Sequence, residues 1–148
     1  MRLLTLGIDD QGRSYVAEER EVSTAPVMAG VAIDSLFATI ESPPPRPQPG
    51  VGIYDDMPMT PGTVNWMIVD LEPYSEDNEP NLATEMHYNN TIELFYVIEG
   101  SIHTALGEGA LDLQPGDCVA MPGVDHATHA GPKGARVLSI SIALAPTS

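Results

Sequence analysis

The sequence predicts an all-β domain, a sandwich or small barrel, and three observations carry that reading. No segment sustains helical periodicity. Many short runs rich in β-branched and aromatic residues follow one another closely. Turn signals such as Gly107-Glu108-Gly109 and Pro115-Gly116-Asp117 punctuate them.

In chain order, Asp9-Asp10-Gln11-Gly12 suggests a hairpin between Leu3–Leu6 and Ser14–Glu19. Val31–Ile40 and Thr63–Leu71 read as strands. Half of the 14 prolines fall between Pro43 and Pro61, and proline lacks the N–H that an inner strand must donate. That stretch reads as a long extended loop packed over the body. Tyr74–Asn81 is a polar, acidic loop without the spacing of a calcium site. Ile92–Ile98 is strand-like, Gly100 marks a bend, and Ser101–Leu106, Ala110–Leu113, Cys118–Met121 and Ala135–Leu144 complete the set. Residues 1–62 are expected to form a strand arm with the Pro-rich loop, and 63–148 a barrel, in one structural domain.

The 148 residues fit one domain, and 43% hydrophobic content supports a core without disulfide staples. Cys118 is the only cysteine, so no intrachain disulfide forms, and it is expected to be buried and inert. No apolar run approaches the roughly 20 residues of a membrane span, and the N-terminus is too short in apolar residues for a signal peptide; a cytoplasmic protein without membrane contact is expected. Six Lys+Arg against 21 Asp+Glu give a net charge of −15. Such a field repels phosphate backbones, which argues against nucleic acid as a partner.

The most informative stretch is Glu85-Met86-His87-Tyr88-Asn89-Asn90-Thr91-Ile92-Glu93. Run as an extended segment, it sends His87, Asn89, Thr91 and Glu93 to one side. The apolar run that follows points this side toward a core, where polar groups are costly unless partnered. A metal, a substrate or an internal hydrogen-bond network would each supply partners. A second element, Pro115 to His126, uses two Pro/Gly turns around one short strand to deliver His126 at the start of the next.

These two segments resemble the two sequence motifs of the cupin superfamily. The first motif reads His-x-His, three or four residues, Glu, six residues, Gly; here stand His87, Asn89, Glu93 and Gly100. Gly116-Asp117, Pro122-Gly123 and His126 match the second. Met86-His87, Thr91 and Gly123-x-x-His126-Ala127 are also similar to a subset of small single-domain cupins of the conserved-barrel type. The resemblance covers roughly residues 63 to 146 and implies a double-stranded β-helix, the jelly-roll barrel, here with an N-terminal strand arm.

The resemblance further implies His87, Glu93 and His126 as catalytic residues and as ligands of a divalent transition metal (Fe, Mn, Ni or Zn). Asn89 replaces the second histidine of the first motif, and a neutral amide is a poor ligand for such a metal. Asn89 and Thr91 are therefore expected to contact substrate, and Trp66, Phe95 and Tyr96 are candidates to wall the pocket. His103 and His129 fall off the inward parity and are expected at the surface or rim. The function expected is an enzyme acting on a small organic acid, carbonyl or aromatic compound, as a metal-dependent dioxygenase, decarboxylase or lyase. The alternatives are a metal-free dehydratase, cyclase or isomerase that uses histidine as acid and base, and a non-catalytic ligand-binding barrel. A homodimer is expected, because the arm offers strands to a partner's sheet edge.

Overall fold

The computed structural model describes residues 2–8, 14–42, 59–75, 85–107 and 109–146. Nine strands run through them: β1 (Arg2–Ile8), β2 (Ser14–Glu21), β3 (Ala25–Met28), β4 (Val31–Ala38), β5 (Val64–Leu71), β6 (Thr91–Leu106), β7 (Ala110–Leu113), β8 (Cys118–Pro122) and β9 (His126–Ala143). No helix among the described residues is long and apolar enough to cross a membrane. The turn at 9–12, the Pro-rich segment over 43–58 and the acidic residues 76–81 lie outside the described residues.

β6 and β9 form the spine, paired antiparallel over nearly their whole length. The first half of β6 lies between β9 and β8, and the second half between β9 and β7. The sequence announces two strands here, broken at Gly100. The chain instead stays paired through that point, because irregular register on both sides of Gly100 absorbs the bend. Gly100 has φ +74°, and a Cβ at this position would collide with the Gly134 carbonyl across the ladder. Only glycine accommodates both demands.

The main sheet has seven strands in the order β3-β4-β5-β9-β6-β7, with β8 also on β6. Every pairing is antiparallel, as expected of the all-β jelly-roll barrel. β4 pairs with β5 along its length, so the sheet begins well before residue 63. β3 escapes a sequence reading because all four of its residues are exposed and no alternation marks it.

Two apolar clusters use opposite faces of this sheet. Val97, Ile102, Ala130, Ala135 and Val137 fill the interior, joined by Val69, Leu71, Phe95 and Leu113. Leu36 and Ile68 pack on the other face with Val22, Trp66, Ile98 and Leu138. The central strands therefore bury side chains on both sides.

The β1–β2 hairpin is a separate two-stranded sheet. Arg20 at its end ties it to β4, donating to both Asp34 oxygens at 2.9 and 2.8 Å and to the Ser35 carbonyl at 2.7 Å. Burial pushes the Asp34 carboxyl up. The hydrogen bonds from Arg20 and the Ser23 N–H outweigh it, and the group sits below the usual carboxylate range. A second bidentate pair, Arg136 to Asp70 at 2.6 and 2.7 Å, lowers the Asp70 carboxyl in the same way.

Cys118 is exposed, contrary to the expectation that it is buried. Alternation along β8 turns Val119 and Met121 inward and Cys118 and Ala120 outward.

Candidate functional site

His87 and His126 meet through their backbones before their side chains matter. The His87 N–H donates to the His126 carbonyl at 2.9 Å, and the His126 N–H donates back to His87 at 3.0 Å. This bridge sets the ring centroids 4.6 Å apart, with the planes tilted by 58°.

Each ring is oriented by a nearby carbonyl. His87 Nδ1 lies 2.7 Å from the Glu85 carbonyl, and His126 Nδ1 lies 3.0 Å from the Val124 carbonyl. A carbonyl only accepts, so Nδ1 carries the proton in both rings. The functional nitrogen is then Nε2.

At His126 that nitrogen lies 3.1 Å from Glu93 Oε2. Both nitrogens of His126 thus face acceptors, an arrangement that favours a proton on each. The hydrogen bond to Glu93 raises the His126 pKa above its ordinary value, against the burial that lowers it. Burial pushes the Glu93 carboxyl up, but hydrogen bonds from His126 and Asn89 bring it below the usual range. The Asn89 amide donates to Glu93 Oε1 at 3.0 Å. Each carboxylate oxygen therefore has its own donor. His87 has no partner at Nε2 among the described residues.

These groups form one end of a cavity of about 430 Å³. His87, Asn89, Glu93, His126, Thr128 and Tyr88 supply the polar end, while Met28, Val31, Val69, Leu71, Phe95 and Val137 make the rest apolar. Tyr88 and Met28 are exposed and stand at the mouth.

Of the residues expected at the site, the structure brings His87, Asn89, Glu93, Phe95 and His126 to this cavity. Thr91 is buried and does not line the cavity, and its hydroxyl has no hydrogen-bond partner among the described residues. Trp66 and Tyr96 are corrected. Trp66 packs in the outer cluster with Leu36 and Ile68, and Tyr96 is exposed. Both have even parity, on β5 and on the part of β6 before Gly100, where odd positions face in. Val69, Leu71 and Val137 took no part in the expected site. Their signal was the same parity, read from the inward residues of β5 and β9. His103 and His129 lie outside the cavity, stacked on each other at 4.9 Å, with Tyr74 on His129 at 4.1 Å and Asp112 on His103 at 2.8 Å.

Among the described residues no three His, Cys, Asp or Glu side chains form a group that could hold a metal ion. His87, Glu93 and His126 are neighbours, but the Glu93 carboxylate is already bonded to the His126 ring and the Asn89 amide. His87 Nε2 is left open among the described residues, but His126 Nε2 and both Glu93 oxygens are spent on one another and on Asn89. In this arrangement they do not fit a resident Fe, Mn, Ni or Zn ion.

The cupin domain family model matches residues 76–141. Among solved structures, KdgF from Halomonas sp. is similar, with a TM-score of 0.54 at 14% identity over 83% of this chain and 89% of that one. The polyketide cyclase RemF from Streptomyces resistomycificus gives 0.54 at 19% identity over 86% and 78% of the two chains. EutQ from Clostridium difficile gives 0.53 at 15% identity over 95% and 94%. At these identities the likeness is one of fold. No curated protein matches the chain. The motif segments, the antiparallel jelly-roll strands that carry them and the matching family model agree that residues 76–141 carry a cupin domain.

Proposed function

We propose that the protein is a proton-transfer enzyme of the lyase or isomerase class, acting on a small carbonyl compound without a metal. One observation carries the reading: two histidine rings 4.6 Å apart differ at Nε2, where His126 meets Glu93 and His87 meets no partner among the described residues. His126, whose nitrogens face the Val124 carbonyl and the Glu93 carboxylate, is the acid. His87, with Nδ1 committed to Glu85, has its Nε2 lone pair available and is the base.

With a carbonyl seated at the polar end, His126 Nε2–H donates to its oxygen while His87 Nε2 takes a proton from the adjacent carbon. The C–H electron pair becomes the C=C bond of the enol, and the C=O π pair moves to the oxygen, which takes the His126 proton. Transfer of the proton held by His87 to a different carbon of a dienol or enediol gives isomerisation. Its transfer to a departing β-hydroxyl, which leaves as water, gives dehydration. In both, the carbonyl reforms as the enol O–H proton returns to His126. Glu93 acts through His126 by holding its proton, and Asn89 holds Glu93. Phe95, Val69 and Val137 line the apolar wall and exclude water, which strengthens each polar interaction inside.

The test is deuterium exchange into 2-tetralone, a neutral probe with acidic protons next to its carbonyl. We expect exchange above an imidazole-buffer control, undiminished by exhaustive chelation and lost in His87→Gln and His126→Gln. Exchange no faster than the control overturns the proposal. So does activity that disappears on chelation and returns only with added metal. That last result would support the competing reading, a metal-dependent enzyme using Fe, Mn, Ni or Zn. One feature favours it: backbone carbonyls at both Nδ1 atoms leave both Nε2 atoms as the ligating nitrogens. We place the reaction in the cytoplasm and expect a homodimer, which light scattering tests.

A further inference from the structure

We infer that Thr128 binds the substrate directly, donating a hydrogen bond to its carbonyl oxygen, with Thr104 behind it as the positioning residue. This rests on the reading above for the carbonyl compound in the cavity, and adds the side chain that receives its oxygen.

Thr104 and Thr128 stand directly opposite each other in the β6–β9 ladder. Both are buried, Thr104 at 1% exposure and Thr128 at 6%. Their hydroxyl oxygens lie 3.2 Å apart, and either can donate. Two hydroxyls bring two protons to one contact, so one proton is left over. Burial decides where it goes, because Thr128 lines the cavity and Thr104 does not. With Thr128 donating to Thr104, the Thr104 proton is stranded in the interior without an acceptor among the described residues, which is costly. With Thr104 donating to Thr128, the spare proton belongs to Thr128 and meets the cavity, where water or a ligand oxygen accepts it. The second arrangement leaves neither hydroxyl unsatisfied.

The position suits a carbonyl. Thr128 follows His126 by two residues, so period-two geometry puts both side chains on one face of β9, and both line the cavity. A carbonyl oxygen has two lone pairs and accepts from two donors. Other polar groups at this end already have contacts. His126 Nε2 and the Asn89 amide face Glu93, and the Tyr88 hydroxyl donates to Asn90. A ligand oxygen accepts from Thr128 without breaking any of these. In the linear chain Thr128 is one more β-branched strand residue, and only its partner across the ladder gives its proton a direction.

The test is the binding of 2-tetralone and of tetralin, which has the same rings without the oxygen, followed by ligand-detected NMR. Thr128→Val removes the hydroxyl and keeps the shape. It should weaken 2-tetralone about three- to tenfold, the scale of one neutral hydrogen bond, and leave tetralin within about twofold. Thr128→Ser should restore 2-tetralone binding. Thr104→Val should weaken 2-tetralone by less, since Thr128 keeps its proton but loses the bond that orients it. Tighter binding in Thr104→Val would mean that Thr128 had been donating to Thr104, and overturns the inference. Unchanged binding there overturns the part assigned to Thr104. In Thr128→Val, unchanged 2-tetralone binding, or equal loss of both ligands, overturns the part assigned to Thr128. So does failure of Thr128→Ser to rescue, or no binding of 2-tetralone by the wild type. If Thr128→Val does not fold by circular dichroism, Thr128→Ala takes its place, read by the same difference between the two ligands. Absence of deuterium exchange in the wild type, with these affinities as expected, overturns the acid–base reading and leaves Thr128 in place.

Discussion

The His126 ring is held between two acceptors, the Val124 carbonyl at 3.0 Å and the Glu93 carboxylate at 3.1 Å, an arrangement that favours a proton on both nitrogens. Glu93 in turn has its other oxygen capped by Asn89 at 3.0 Å. This chain of contacts lines one cavity and sets the behaviour expected of variants.

Removing the His126 ring should remove catalysis. His126→Gln is expected to lower kcat by about 10² to 10⁴, the range for loss of a positioned acid or base. Glu93→Gln should leave a smaller defect at low pH and shift the alkaline limb of the pH–rate profile downward, because His126 loses the group that raises its pKa. An unmoved alkaline limb would dissociate Glu93 from His126.

The same pair makes stability depend on pH at both ends. The His126 pKa is raised in the fold, so its contribution is complete below about 6.5 and is lost as pH rises through the folded value. The Glu93 pKa is lowered, so its contribution is present above about 4.5 and is lost as pH falls through the folded value. The pair is expected to stabilise by about 2 kcal/mol between those limits, as a charge-assisted hydrogen bond with little solvent access. Urea melts of wild type and His126→Gln across pH would show the difference narrowing at both extremes.

Arg20→Met should loosen the arm and destabilise the barrel together. It leaves Asp34, 8% exposed, without the guanidinium that offsets its burial. The expected loss is about 3 kcal/mol at pH 7, typical of breaking one side of a buried pair. The loss should shrink at low pH, where Asp34 is protonated in the variant.

Parity along β6 separates two adjacent aromatics. Phe95→Ala should raise KM several-fold by opening the cavity wall, whereas Tyr96→Ala should leave kcat and KM within about twofold, since Tyr96 faces solvent. Cys118, opposite Tyr96 on β8, should react with a maleimide in the folded protein without loss of activity.

Gly100→Ala is expected to cost roughly 3 kcal/mol or more, from positive φ together with collision against the Gly134 carbonyl. Chemical denaturation reads it directly. A cost below about 1 kcal/mol would mean that the β6–β9 bend tolerates a side chain.

Much of this was legible in the linear chain. Alternation and turn residues marked β4 through β8 and the C-terminal half of β9, and period-two geometry placed His87, Asn89 and Glu93 on one side together. The Gly-Asp and Pro-Gly turns delivered His126 to the start of β9. Tertiary structure alone decided which side of each strand faces the cavity. Leu36 and Ile68 bury the outer face as Val97 and Val137 bury the inner one, so hydrophobicity does not distinguish the two, and Trp66 fell on the wrong side of that ambiguity. Pairing across the fold also decided which atoms meet. Local spacing cannot specify that Glu93 bonds His126 rather than His87, because that contact depends on the register between β6 and β9 and on carbonyls that fix the ring nitrogens.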